Sequence, residues 1–133
     1  MRIVGIGIDL VELDRVDLSL QRSGPGLVDE LLNTNEQQAA GRRIESTAFI
    51  AGRIAAKEAV AKALGTGFNG FHWHEIEVRN NVTGRPVARL LGRAARIAQA
   101  HQVTTCLISI AHTAHYATAQ ALAVSSAKKE EPL

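Results

Sequence analysis

One long helix constrains the fold of this chain more than any other segment. The pattern from Ser46 to Leu64 predicts this helix, and Gly65-Thr66-Gly67 is typical of a helix end. At about 100° per residue, large apolar side chains gather on one side of the helix and small ones on another. The large ones are Phe49, Ile50, Val60 and Leu64, and the small ones are Gly52, Ala55, Ala56, Ala59 and Ala63. Because an ordinary surface helix buries only one face, this one is predicted to be central.

The charged residues of the predicted helix form two pairs at i,i+4 spacing. Arg53 pairs with Lys57, and Glu58 pairs with Lys62. Lys57 falls beside the apolar stripe, where an ammonium group is costly unless an anion meets it. In the simpler interpretation all four groups are solvated. The Glu58–Lys62 pair is then worth about 0.2–0.5 kcal/mol, and the other two side chains reach water along the surface.

Shorter elements are predicted around this helix from alternation, amphipathic periodicity and turn residues. An apolar run over residues 3–8 is typical of a buried strand, and it ends abruptly at Asp9. Further strands are predicted at residues 74–79, 87–91 and 104–110, and helices at 11–22, 27–32, 35–43 (capped by Thr34) and 93–101. Residues 116–124 fit a helix by their alanines and a strand by their alternation.

This order of elements favours an α+β fold in which a small, mainly antiparallel sheet packs against the long central helix. The length of 133 residues suits a single domain. We expect that domain to cover residues 1–124. The charged segment 125–133 is predicted to be a disordered tail.

Composition argues against several classes of function. The sequence contains no apolar run long enough to span a membrane. Its 15 Lys+Arg against 13 Asp+Glu form no basic stripe, and aromatic residues make up only 4%, so nucleic-acid binding is not expected. The single cysteine, Cys106, excludes an internal disulfide, and the N-terminus does not resemble a signal peptide. Both features favour a cytoplasmic protein.

Asp9 places a carboxylate at the end of the first strand, and two interpretations of it stay open. An aspartate at such a position most often caps the following helix. Alternatively, Asp9 and Glu58 together would suit Mg²⁺, which takes few protein ligands and keeps waters and phosphate oxygens. Nearby cations would then bind the rest of a phosphate-bearing ligand. Spacing alone does not decide between them.

The histidines and the cysteine are given structural interpretations. Four of the histidines could be combined into a zinc site on paper, but such a site usually adds a cysteine or a carboxylate, so zinc is not expected. These four are His72, His74, His112 and His115. Cys106 lies in an apolar strand and is predicted to be a small buried hydrophobe rather than a nucleophile.

Two long motifs carry a resemblance to a known family. The first is Gly5-Ile6-Gly7-Ile8-Asp9-Leu10-Val11-Glu12 with Arg15, and the second is Phe49-Ile50-Ala51-Gly52-Arg53-Ile54-Ala55-Ala56-Lys57-Glu58-Ala59 with Lys62-Ala63-Leu64-Gly65-Thr66-Gly67. Together with Glu75-Ile76-Glu77-Val78, Gly84-Arg85-Pro86 and Ser109-Ile110-Ala111-His112-Thr113, they closely resemble the holo-[acyl-carrier-protein] synthases, which are small bacterial 4′-phosphopantetheinyl transferases. The resemblance covers nearly the whole chain. Two departures are Ala111, where the family usually has serine, and the looser segment 32–35.

The resemblance implies an activity and a set of site residues. Such enzymes move the phosphopantetheine arm of coenzyme A to a serine of apo-acyl carrier protein and release 3′,5′-ADP. Asp9 and Glu58 would hold a catalytic Mg²⁺, with Glu58 also removing the serine proton, directly or through a metal-bound water, and Lys62 assisting catalysis. The residues implied to bind the phosphates and nucleotide are Arg53, Lys57, Lys62, Gly65, Thr66, Gly67, His112 and Thr113.

The resemblance also implies an assembly and a partner. Family members are homotrimers with active sites between subunits, and residues 116–124 would be a strand. Arg15 and Arg22 would meet the acidic surface of the carrier protein, which serves fatty-acid synthesis. The rival hypothesis is a non-catalytic coenzyme A-binding module of the same fold. Its weakness is that a mere binder does not need Asp9, Glu58 and Lys62.

Overall fold

A computed structural model describes residues 1–126. Its strands are β1 (Arg2–Glu12), β2 (Ile76–Asn80), β3 (Pro86–Leu90), β4 (Thr105–His112) and β5 (Tyr116–Ser125). Its α-helices are α1 (Leu13–Ser23), α2 (Pro25–Leu31), α3 (Thr34–Ala40), α4 (Thr47–Ala63) and α5 (Gly92–Ala100). Two short 3₁₀ helices span Gly41–Glu45 and Trp73–Glu75. No helix within residues 1–126 is long and apolar enough to cross a membrane.

The helix α4 lies at the centre of the structure, as its two buried faces predict. A three-stranded antiparallel sheet in the order β1-β5-β4 covers one side, and α1 to α3 and the β2–β3 hairpin pack around the others. The α+β fold with a long central helix is therefore confirmed. Ser46 starts α4 by accepting a hydrogen bond from the Phe49 amide at 3.2 Å, and Gly65, at φ 86°, follows its end.

Small residues let α4 and the sheet approach each other closely. The alanines at alternate positions of β5 are buried against the helix, as are the small residues of α4 itself. The β5 alanines are Ala117, Ala119, Ala121 and Ala123. On β1, a side chain at Gly5 or Gly7 would run into the α4 backbone. The close approach predicted from the small-residue face is confirmed.

The strand β1 differs from its prediction in length and in burial. It continues past residue 8 to Glu12, so Asp9 lies inside the strand, paired with Ala119 of β5. Asp9 is therefore no helix cap, because α1 begins at Leu13 after Glu12. The expectation of a buried strand was wrong for one face. The glycines turn toward α4, while alternate apolar residues face outward and are 61–65% exposed. They are Ile6, Ile8 and Leu10.

Three other expectations are settled by local geometry. Residues 116–124 form a strand, as the resemblance implied. The cap of α3 is Asn33 rather than Thr34, and its side chain and that of Glu36 form a capping box. Ser125, assigned to the tail from sequence, ends β5 and is buried. The remainder of the predicted tail, from residue 127, lies outside the described residues.

Candidate active site

Asp9, Glu58 and Lys62 meet where β1 runs beside α4; we call them the carboxylate site. The Lys62 ammonium lies 3.3 Å from Asp9 Oδ1 and donates to the carbonyl oxygen of Ile8 at 2.9 Å. Glu58 lies one turn before Lys62 on the same helix, close enough for the charges of Asp9 and Lys62 both to shift its pKa. The strand thus delivers one carboxylate and the helix another, as the alternative interpretation of Asp9 required.

The electrostatics of the carboxylate site favour a further cation. Burial raises the pKa of Glu58 above its usual range, and the negative charge of Asp9 raises it further, against the opposing effect of Lys62. Two carboxylates and one ammonium leave a net negative charge. Oxygen ligands of this kind suit Mg²⁺. Among residues 1–126 no group of three or more histidines, cysteines and acids could hold a metal. An ion here would complete its coordination with water and phosphate oxygens.

A separate site, which we call the arginine pocket, is a cavity beside the N-terminal half of α4. Its volume is about 400 Å³, and Arg53, Arg43 and His112 line it together with Ser46, Phe49, Gly52, Gly84, Pro86 and Ile110. The Arg53 side chain is only 7% exposed; it donates to Asn80 Oδ1 at 3.1 Å and stacks on the Phe49 ring at 4.5 Å. Its Nε is buried without a hydrogen-bond partner among the described residues. Burial and the nearby Arg43 lower the Arg53 pKa.

The arginine pocket has the chemistry of an anion site. Two guanidinium groups share it, and the buried Arg53 Nε–H, which has no acceptor among residues 1–126, leaves the hydrogen-bonding capacity of this arginine unfilled. A phosphate oxygen is the kind of acceptor that arginine binds best. Among residues 1–126, Glu36 is the one carboxylate whose charge raises the Arg53 pKa. Since Lys57 already engages that carboxylate at 2.8 Å, the pocket keeps its positive charge.

The carboxylate site and the arginine pocket lie on different sides of α4. In the sheet, Ala119 of β5 pairs with Asp9 of β1 on one side and with Ile110 of β4 on the other. Asp9 of the carboxylate site and Ile110 of the arginine pocket are therefore two strand spacings apart, about 10 Å. Arg53 and Glu58 are five residues apart on α4, which turns their side chains about 140° from each other. One chain therefore holds two separated sites of opposite charge.

A family model described as the 4′-phosphopantetheinyl transferase superfamily matches residues 5–121, nearly the whole chain. Sequence comparison adds a relative from Desulforudis audaxviator, a holo-[acyl-carrier-protein] synthase, that is 41% identical over 128 residues, covering 96% of this chain and 98% of the relative. This chain belongs to the holo-[acyl-carrier-protein] synthase family. It is therefore an enzyme of the phosphopantetheinyl transferase class.

Solved structures of the family superpose on this chain over almost its full length. The Bacillus anthracis holo-[acyl-carrier-protein] synthase, solved in complex with coenzyme A (3′,5′-ADP), is 36% identical, with a TM-score of 0.74 and coverage of 93% of this chain and 98% of that one. The Plasmodium yoelii acyl carrier protein synthase, solved with ADP bound, is 27% identical, with a TM-score of 0.83 and coverage of 95% and 98%. The predicted family and fold are confirmed.

Lys57 is placed differently from the phosphate-binding role that the family resemblance implied. Its side chain is 0% exposed, and its ammonium donates to Glu36 Oε1 at 2.8 Å and to the carbonyl oxygens of Leu31 and Trp73 at 2.8 and 3.0 Å. All three N–H groups are therefore used, and none remains for a phosphate. The prediction of phosphate binding by Lys57 is wrong in this structure. The sequence argument that an anion must meet Lys57 holds, and Glu36 is that anion.

The turn after α4 and the β4–β5 hairpin hold the remaining predicted nucleotide contacts. Gly65 and Gly67 both have positive φ, and the Thr66 hydroxyl donates to the Gly67 carbonyl oxygen at 3.0 Å. Thr113 accepts hydrogen bonds from the His115 and Tyr116 amides, so its oxygen shapes the hairpin while its hydrogen stays free to donate. Their roles toward a nucleotide stay predictions.

Outside these sites, the structure fixes the surroundings of the other residues singled out from sequence. Arg15 and Arg22 lie exposed on α1, and Arg15 Nε lies 4.0 Å from Glu12 Oε2, which is a long contact for an ion pair. Cys106 is buried in β4, and burial raises the pKa of its thiol to about 11, so it is a protonated thiol at neutral pH. Nε2 of His74 lies 2.6 Å from the Asp29 carbonyl oxygen, and His72 accepts from the His74 amide.

Sequence reasoning missed two residues, Arg43 of the arginine pocket and Glu36, the partner of Lys57. Arg43 lies at the end of the predicted helix 35–43, in a segment that the structure shows as a 3₁₀ helix, and no motif distinguished it from the exposed Arg42 beside it. Glu36 did carry a local signal, because Asn33 three residues earlier completes a capping box. That motif explains one hydrogen bond of the carboxylate but not its partner on α4.

Proposed function

We propose that this chain transfers the 4′-phosphopantetheine group from coenzyme A to a serine of apo-acyl carrier protein, releasing 3′,5′-ADP, in a Mg²⁺-dependent reaction. The observation that carries the proposal is the carboxylate site, where Asp9 and Glu58 converge beside Lys62. A protein that only bound coenzyme A would gain nothing from two carboxylates next to a pyrophosphate. The family's relatives, named for this activity, support the same conclusion.

The reaction forms a bond between the serine oxygen and the phosphorus that carries the pantetheine arm, and breaks the bond from that phosphorus to 3′,5′-ADP. Glu58 takes the serine proton, a task suited to a carboxylate whose pKa lies above its ordinary range. Lys62 uses two N–H groups on Asp9 and the Ile8 carbonyl. Its third N–H can donate to the departing phosphate oxygen, where negative charge develops.

Asp9 and Glu58 are the residues that would hold Mg²⁺. When bound, the ion would supply charge neutralisation for the pyrophosphate and the developing negative charge. Asp9 also orients Lys62 through their 3.3 Å contact. Thr118 fixes β1 at this point, since its hydroxyl donates to the Asp9 carbonyl oxygen at 2.8 Å.

The arginine pocket would receive the nucleotide end of coenzyme A. Arg53, Arg43 and His112 offer the charge and the donors that a 3′-phosphate needs, and the pocket volume of about 400 Å³ falls in the range of ligand sites. The Bacillus anthracis relative was solved with coenzyme A bound, which supports a nucleotide site in this fold. Gly65, Thr66, Gly67 and Thr113 are proposed to complete the contacts.

We further propose a homotrimer whose active sites lie between subunits. Two observations support it: the carboxylate site and the arginine pocket face different sides of α4, and β1 exposes an apolar face. Ile6, Ile8 and Leu10 of that face are 61–65% exposed, an unusual state for a row of large aliphatic side chains. A neighbouring copy would cover this face and bring its arginine pocket to the carboxylate site.

Ile8→Asp tests the assembly. We expect wild-type protein to have three times the chain mass of 14.3 kDa in solution by light scattering. Because burying an aspartate between subunits is costly, the variant is expected to be monomeric and to lose at least about 90% of its activity. A wild-type monomer with full activity at nanomolar concentration would contradict the interfacial site.

Arg15→Glu tests the proposed docking of the carrier protein on α1. Arg15 is exposed and its contact with Glu12 is long, so the substitution should leave the fold unchanged. We expect the KM for the carrier protein to rise about tenfold, with little change in the KM for coenzyme A. Arg22→Glu should act in the same direction. Equal changes in both KM values would show that Arg15 does not contact the partner.

Intact-mass spectrometry of apo-acyl carrier protein tests the function as a whole. After incubation with this protein, coenzyme A and Mg²⁺, we expect a mass gain of one phosphopantetheine, and no gain when EDTA removes the metal. A folded sample that binds coenzyme A but modifies no carrier protein would support the binding-module hypothesis.

We place the reaction in the cytoplasm and in fatty-acid synthesis. Reaction with the fatty-acid carrier protein but not with polyketide carrier proteins would support that assignment.

A further inference from the structure

A buried polar network joins α3, α4 and β2 next to the arginine pocket. Glu36 accepts three hydrogen bonds: from Lys57 at 2.8 Å and the Asn33 amide at 3.0 Å on Oε1, and from the Val78 amide at 2.9 Å on Oε2. Both Glu36 and Lys57 are almost fully buried, at 3% and 0% exposure. The carboxylate therefore links three elements that are far apart in sequence.

The side chain of Glu77 extends this network along β2. It is 2% exposed, and its Oε1 accepts from the side-chain amides of Asn33 and Asn35 at 3.2 and 3.3 Å. The start of α3 is thus bonded to β2 through both Glu36 and Glu77. Hydrogen bonds of this number and direction fix the position of β2 more strictly than apolar contacts would.

The same strand reaches Arg53 of the arginine pocket two residues after Val78. Asn80, at the end of β2, accepts the 3.1 Å hydrogen bond from Arg53 Nη2. Arg53 and Lys57 are one turn apart on α4, so α4 and β2 are joined at two points. One is the Lys57–Glu36–Val78 link, and the other is the Arg53–Asn80 bond.

We propose that Glu36, paired with Lys57, is a positioning residue for coenzyme A: it fixes β2 against α4 so that Asn80 holds the Arg53 guanidinium in the arginine pocket. This inference rests on the proposed function of that pocket. The pair is a poor choice for stability alone, because two charges lose their hydration when buried and apolar residues of similar size often serve as well. Apolar residues, however, could not form the hydrogen bonds that connect Lys57 of α4, through Glu36, to the Val78 amide of β2.

A double variant separates positioning from stability. Glu36→Leu with Lys57→Met removes both charges together, so neither is left buried and unpaired. We expect the double variant to fold, and its affinity for coenzyme A, measured by calorimetry with Mg²⁺ present, to fall about tenfold. The KM for coenzyme A should rise accordingly. The kcat at saturating coenzyme A and the KM for the carrier protein should change less than about twofold.

A double-mutant cycle with Arg53 decides whether the pair acts through that side chain. In an Arg53→Ala background, the same double variant should change coenzyme A affinity less than about twofold, because there is no guanidinium left to position. Asn80→Ala is a second test of the same link. Because Asn80 is exposed, this variant is expected to fold. It should weaken coenzyme A binding by about three- to tenfold, again only when Arg53 is present.

The outcomes are distinct. Wild-type affinity for coenzyme A in the folded double variant would overturn the inference. It would also be overturned if the double variant lowered this affinity by the same factor with and without Arg53→Ala. If the double variant does not fold, an effect of Asn80→Ala that is independent of Arg53 would overturn it equally. If wild-type protein itself fails to bind coenzyme A, the proposed function fails. Binding with unchanged variants removes only the positioning role.

Discussion

Asp9→Ala and Glu58→Gln are each expected to lower kcat/KM by about a thousandfold or more, while the protein stays folded. Both carboxylates belong to the carboxylate site, and the proposed reaction depends on them for holding Mg²⁺. Glu58→Gln also removes the group that takes the serine proton. Neither carboxylate is part of the buried core: Glu58 is only partly buried, and the one described ion pair of Asp9 is with the half-exposed Lys62 ammonium.

The assay measures the formation of holo-acyl carrier protein by intact mass, at saturating coenzyme A and varied Mg²⁺. Glu30→Gln is the matched control: it removes one carboxylate from the exposed surface of α2 and should retain wild-type activity. Thermal unfolding within about 3 °C of wild type would show that the variants are folded. Turnover within tenfold of wild type in either variant would remove our assignment of the metal ligands.

The signals that located α4 are local, and this is why they succeeded. The Ser46 hydroxyl bonds an amide three residues away, and Gly65 takes a backbone conformation that only neighbouring residues determine. The small-residue face of α4 predicted a close neighbour, although not which one. The neighbour is a sheet whose facing positions are themselves glycine and alanine. Both halves of that contact are visible in the sequence.

The partner of Lys57 illustrates what local patterns omit. The helical position of Lys57 showed that a buried cation needed an anion, and the structure supplies Glu36, 21 residues earlier in the chain. Nothing in the spacing of the two residues distinguishes Glu36 from the other acids. The choice depends on how α3 turns after α2, which tertiary packing decides. For the same reason the family motif alone placed Lys57 among the phosphate-binding residues.

The burial of β1 was misjudged because an apolar run fits two arrangements. Glycine at positions 5 and 7 alternates with isoleucine at 6 and 8, so the strand has a small face and a large one. A helix packed directly on the backbone requires the small face, which turns the isoleucines away from the core. The single-chain structure leaves them exposed, and the proposed trimer would cover them.

Gly7→Ala is expected to destabilise this protein severely, although it adds only one methyl group. The new Cβ would overlap the carbonyl oxygen of Ala59 and would lie 2.9 Å from the Ala63 amide nitrogen. Both are backbone atoms of α4, so no side-chain rotation can relieve the clash. Either β1 or α4 must move by about 1 Å or more, and tightly packed interiors resist such shifts. We expect a loss of at least about 4 kcal/mol in the free energy of unfolding.

Urea unfolding followed by the fluorescence of Trp73, the one tryptophan of the chain, measures this loss. All samples need the same chain concentration, because the proposed assembly would contribute to apparent stability. Gly26→Ala is the control: Gly26 lies in α2, and within residues 1–126 a new Cβ there would meet nothing within 4 Å beyond its chain neighbours and its own helix. Alanine should therefore stabilise the helix by up to about 1 kcal/mol. If Gly→Ala lowers the free energy of unfolding at position 7 and raises it at position 26, the cost arises from the contact between β1 and α4.

A loss below about 1 kcal/mol in the free energy of unfolding at Gly7 would mean that the strand can separate from the helix freely. Asp9, two residues along the same strand, would then not be held rigidly against Glu58, and the carboxylate site would need a bound ligand to form.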